Sequence, residues 1–133
     1  MKDSEVLYSC FEQVADSGED IAPAIYGKFF QAMPEAEQHI SIMDERMRGR
    51  MVEQIYSLLL GEADTDYLKF EADMHRGYGA NTAFYRGILE AVKDTVRDRL
   101  EDQWSGEFEG AWDRSIERIT GEIEQFSSAD GGA

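Results

Sequence analysis

Between residues 106 and 126 the apolar side chains Trp112, Ile116, Ile119, Ile123 and Phe126 recur at alternating steps of four and three. Only an α-helix keeps such a set on one face, because a strand repeats every two residues. A second stripe precedes it, with Phe84, Ile88, Val92, Val96 and Leu100 widened by Tyr85, Leu89 and Ala91. The segment from Glu101 to Gly106 breaks the pattern, and Ser105 is placed to cap the final helix. Two long helices with wide apolar faces must bury those faces against other helices. The expected fold class is therefore all-α.

The upstream chain supplies the partners. Leu7, Cys10, Phe11 and Val14 share one face of a first helix, with Ser4 as its cap and Asp16-Ser17-Gly18 as its end. A second helix follows Glu19 and Asp20, with Pro23 in its first turn and Ile21, Ile25, Phe29 and Met33 on one stripe. Tyr26 and Phe30 lie beside that stripe, and Gly27 is placed to admit a close helix neighbour. Pro34 ends this helix and opens a short one to Ile40. A looser stretch leads to a helix from about Asp44, with Met47, Met51, Ile55 and Leu58/Leu59 inward. Arg46, Arg48, Arg50 and Glu53 point mostly outward. After the polar connection from Gly61 to Asp66, a short helix spans Tyr67 to Met74. Six to seven helices around one core are expected over residues 1–126, with 127–133 as a small, polar, flexible tail.

The charge excludes several functions. Twenty-eight acids against 13 bases give −15 over 133 residues, which repels phosphate backbones and anionic lipid. Neither nucleic acid nor membrane is expected as a partner. No run approaches the length of an apolar membrane span, and the acidic N-terminus lacks the apolar core of a signal peptide. Cys10 is the one cysteine, so no internal disulfide forms and a cytoplasmic location fits best. Phosphate-binding glycine loops, zinc-type Cys/His clusters and nucleophile elbows are missing from the sequence.

One segment stands apart from the helical pattern: Met74-His75-Arg76-Gly77-Tyr78-Gly79. A histidine at the end of a short helix, released by glycines into a long one, is placed to project into an interior pocket. Upstream lies Ile25-Tyr26-Gly27-Lys28-Phe29-Phe30 before Pro34; downstream lie Tyr85 and Phe108-Glu109-Gly110-Ala111-Trp112. In this order the chain resembles the globin family, especially bacterial single-domain globins and the haem domains of flavohaemoglobins and globin-coupled sensors. The likeness runs from about Ile21 to Phe126 and implies a globin fold around a haem pocket. It departs from the family at Ile40, where a phenylalanine usually stands, and at Ser127, where flavohaemoglobins have a glutamate. The distal helix carries no histidine.

The resemblance implies one b-type haem (iron protoporphyrin IX), with His75 as the iron ligand and the sixth position open to a diatomic gas. Tyr26 is the distal candidate, its O–H placed to donate to the gas; its plain reading is a core tyrosine. Phe30, Ile40, Met51, Ile55 and Tyr85 would line the haem, and Arg76 would face a propionate or solvent. The plain reading of Met51 and Ile55 is packing, which in a haem pocket also keeps water out. The usual distal position falls on Arg50 or Met51, and the sequence leaves both open. His39 reads as a surface residue, with a haem-edge contact or a distal ligand as its alternative.

The functional expectation is reversible binding of oxygen, nitric oxide or carbon monoxide, for sensing, oxygen binding or detoxification. Nitric oxide dioxygenation would need a separate reductase, and sensing would need a signalling partner in trans. The rival expectation is a haem-free globin-fold module that signals or binds a protein through helix packing, for example as a homodimer.

Overall fold

The computed structural model describes residues 2–40, 45–61 and 82–131, without the side chains of 39, 40, 82 and 125–131. Every regular element among them is helical: α1 (Asp3–Asp16), α2 (Ala22–Ala32), α3 (Pro34–Ile40), α4 (Glu45–Leu59), α5 (Thr82–Leu100) and α6 (Gly106–Gly131). A short 3₁₀ turn, Glu101–Gln103, links the last two. The fold is all-α, as the periodicity requires. None of these helices is long and apolar enough to cross a membrane.

The packing order is not sequential. α1 lies against α6 and α5, α2 against α5, and α4 against α6 and α2, while α5 and α6 also pack on each other. The centre is a single apolar cluster in which Leu7, Ile25, Phe29, Leu59, Ile88, Trp112, Ile116 and Ile119 are fully buried. Each such side chain contributes about 1.5–3 kcal/mol by leaving water. The exposed ion pairs that tie helices together contribute little, because water and salt screen them. These include Asp3–Arg114 between α1 and α6 and Lys28–Asp98 between α2 and α5. Burial therefore holds the fold, and the pairs fix which surfaces meet.

The helix ends correct several expectations. Lys2, not Ser4, is the residue before the first turn of α1, and it makes no side-chain cap. Val6 joins the buried face beside Leu7. Asp20 ties down the start of α2, its Oδ1 accepting from the Ala22 amide at 3.1 Å. Ser105 caps α6 as expected, accepting from the Phe108 amide at 3.2 Å. α6 continues as helix to Gly131, past Ser127, because no proline interrupts its small polar end.

Two predicted faces are rotated. Gly27 has no atom within 4 Å of where a Cβ would stand, so no helix approaches it. Gly87 on α5 makes the close contact instead: a Cβ there would lie 2.7 Å from Met33 Sδ and 3.0 Å from Phe29 Cε1. On α4, Met47 is 50% exposed, whereas Val52 is buried with Met51, Ile55 and Leu59. One residue is a rotation of about 100° on a helix, so a face that begins at Arg48 sends Met47 to solvent.

Candidate functional site

The site implied by the sequence is shared among α2, α4, the start of α5 and the segment around His75. His75 and Arg76 lie outside the described residues, as do the side chains of Ile40 and His39. Tyr26, Phe30, Met51, Ile55 and Tyr85 are described, and they belong to one contiguous apolar core, with Phe30 at its partly buried margin.

Tyr26 is held there because α2 places Ile25 and Phe29 in the core and turns Tyr26 towards α4. It is 5% exposed. Its hydroxyl donates to the backbone carbonyl of Arg48 at 2.8 Å. Burial pushes the phenol pKa up to about 12, against the opposing pull of the Arg48 charge. The phenol therefore stays protonated across the physiological range and acts as a hydrogen-bond donor. The Arg48 guanidinium carbon lies 5.9 Å from the Tyr26 ring centre, within cation–π reach.

Aromatic rings extend from this point. Tyr26 and Phe30 have centroids 5.9 Å apart at 30°. Phe29 meets Phe84 edge-on at 5.0 Å, and Phe84 meets Tyr85 at 6.0 Å, also edge-on. Phe84 thus bridges the α2 rings to Tyr85 on α5, a connection that the Tyr85 spacing alone did not show. Met51 and Ile55 are buried on α4, one and two turns beyond Arg48.

Burial separates the two candidates for the distal position, because Arg50 is exposed and Met51 is 8% exposed. Arg48 is the residue that sequence reasoning misplaced, having assigned it outward. Its spacing carried the signal: Arg48 precedes Met51 by three and Val52 by four, so it shares their face.

The described site is thus a largely apolar, aromatic wall with two buried phenols, Tyr26 and Tyr85, of which Tyr26 donates from α2 to α4. Among the described residues no group of three or more His, Cys, Asp or Glu side chains is arranged to hold a metal ion. A search of protein-family models and of curated proteins finds no match to this chain.

Proposed function

We propose that the chain is a globin-fold protein that carries one b-type haem on His75 and binds a diatomic gas beside Tyr26. The observation that carries this reading is the buried Tyr26 hydroxyl, which donates from α2 to α4 within a largely apolar wall of Phe30, Met51, Ile55, Phe84 and Tyr85. Such a wall suits a flat, largely apolar macrocycle, which needs one nitrogen ligand from the protein and not a cluster of ligating side chains. The crosswise packing of first helix on last and of α2 on α5 also supports it, since globins pair their helices out of sequence order.

Haem would supply an iron with one position open to oxygen, nitric oxide or carbon monoxide. The chain's own contribution is to exclude water with Met51 and Ile55 and to present the Tyr26 proton to a polar ligand. Tyr26 has one proton, and it is engaged by Arg48. Releasing it leaves the Arg48 carbonyl with the acceptor bond of its own helix, so the exchange forfeits about 1 kcal/mol. A hydrogen bond to a charged acceptor contributes about 1.5–3 kcal/mol and makes the exchange favourable.

The same engagement favours a second reading, in which Tyr26 locks α2 to α4 in a haem-free globin-fold module. Such a module would act by helix packing on a partner or on a second copy. Adding haemin to the purified chain separates the two. The first reading gives a red protein with a strong absorption band near the violet edge of the visible spectrum, removed or greatly shifted by His75→Ala. A chain that remains colourless after haemin addition supports the second.

A further inference from the structure

At the far end of α4 from Arg48, a cleft of about 270 Å³ opens between the start of α1, the end of α4 and the middle of α6. Its charge is opposite to that of the chain as a whole. Lys2, Arg114 and Arg118 line it with one carboxylate, Asp3, while the protein carries −15.

Its donors outnumber its acceptors. Asp3 is fully used by Arg114, which grips both carboxylate oxygens at 2.9 and 3.0 Å. Arg118 donates to the Leu58 carbonyl at 3.2 Å, and its other terminal nitrogen is 3.9 Å from Glu122, so further N–H groups are left over. The Lys2 ammonium has no ion-pair partner among the described residues. The Asp3 and Ser4 amides sit in the first turn of α1, where helix geometry supplies no acceptor and Lys2 provides no side-chain cap.

Ser115 is the independent observation. It is 3% exposed, lines the cleft, and its hydroxyl makes no hydrogen bond among the described residues. Other buried hydroxyls on these helices behave differently. Thr95 and Thr120 each donate to a carbonyl one turn back, at 2.8 and 2.9 Å. The Ser115 hydroxyl is instead left open to the cationic cleft, where an acceptor oxygen of a ligand can meet it.

We propose that this cleft binds a small phosphate-bearing anion, held by Lys2, Arg118, the Ser115 hydroxyl and the first amides of α1. A tetrahedral dianion matches the site because it offers several acceptor oxygens to donors converging from the start of α1 and from α6. Leu60, partly buried at the cleft, would contact a short apolar group attached to the phosphate. The site is separate from the Tyr26 wall and does not depend on haem.

Calorimetric titration of the full chain in chloride-free, low-salt buffer tests it, first with inorganic phosphate and then with phenyl phosphate. One saturable site is expected, weakened about tenfold by Ser115→Ala and by Arg118→Gln. Lys28→Gln should leave it unchanged, since Lys28 pairs with Asp98 away from the cleft. Tighter binding of phenyl phosphate identifies an organic phosphate as the ligand, and equal binding identifies the free oxyanion. Ser115→Ala is the decisive variant if circular dichroism shows that Arg118→Gln unfolds the chain. The proposal is overturned if heats do not saturate at millimolar phosphate, or if Lys28→Gln weakens binding as much as Ser115→Ala.

Discussion

The Tyr26 hydroxyl and the Arg48 carbonyl stand 2.8 Å apart and join two helices through residues 22 positions apart in sequence. Removing the hydroxyl should have two separable effects. Tyr26→Phe should lower the unfolding free energy by about 1 kcal/mol without haem, because a single neutral hydrogen bond is lost. In haem-loaded protein it should speed oxygen release about 10- to 100-fold and leave carbon monoxide release little changed. Urea unfolding measures the first and stopped-flow gas release the second. An unchanged oxygen release rate would remove Tyr26 from the gas site and leave its role as a helix lock.

Gly27 and Gly87 should respond to alanine in opposite directions. At Gly27 the space is open, so Gly27→Ala gains helix propensity and should stabilise by about 0.5–1 kcal/mol. At Gly87 the new methyl meets Met33, which can yield, and Phe29, which is fully buried and cannot. Gly87→Ala should therefore destabilise by about 1–3 kcal/mol even after its propensity gain. Paired urea titrations decide this, and a stabilised Gly87 variant would mean that Phe29 moves freely.

Lys93 is the buried cation of the α5–α6 contact, with its side chain 8% exposed and Nζ at 2.9 Å from Glu109 and 2.7 Å from Asp113. Burial opposes its charge, but the hydrogen bonds it donates to Asp113 and Glu109 outweigh this and hold its pKa above the usual lysine value. The Lys93 hydrogen bond in turn lowers the pKa of Glu109. A lowered carboxylate stabilises above its unfolded pKa and loses that contribution as pH falls through its folded value. A raised lysine stabilises below its unfolded pKa and loses it as pH rises through its folded value. Lys93→Met should thus cost most near neutral pH, about 1 kcal/mol because both carboxylates are well hydrated. The difference from the natural chain should shrink in acid below the ordinary glutamate range and again in strong alkali. A gap that is constant across pH would show that the cost is one of packing alone.

Cys10 is fully buried, and burial raises its thiol pKa; the Trp112 indole beside it opposes this only in part. The indole N–H itself reaches no acceptor in full hydrogen-bond geometry. Native protein should consequently react with a thiol reagent orders of magnitude more slowly than unfolded protein, at a rate that follows the unfolding equilibrium. Labelling in graded urea checks this. Fast labelling without denaturant would mean that α1 opens locally from α6.

The parts of this fold that were legible in the sequence are those set by local repetition. The stripe from Phe84 to Leu100, the seam from Trp112 to Ile123, the Ser105 cap and the break at Pro34 all follow from residues near one another. What the sequence did not disclose depends on a distant partner. Gly27 and Gly87 are equally small, and only the position of Phe29 and Met33 distinguishes them. Met47 and Arg48 differ by one step on α4, and which faces inward depends on where Tyr26 stands. The Ser115 cleft was invisible for the same reason, since Lys2, Leu59 and Arg118 are brought together only by packing.

The packing of α1 on α5 and α6 also has a consequence for biosynthesis. Val6, Leu7, Cys10 and Val14 are made well before α5 and α6, the helices on which α1 packs most, although Phe11 of α1 also meets Tyr56 of α4. The apolar face of α1 therefore stays largely uncovered until α5 and α6 emerge. That interval, rather than the folded state, is when this chain is most exposed to aggregation and has most use for a chaperone.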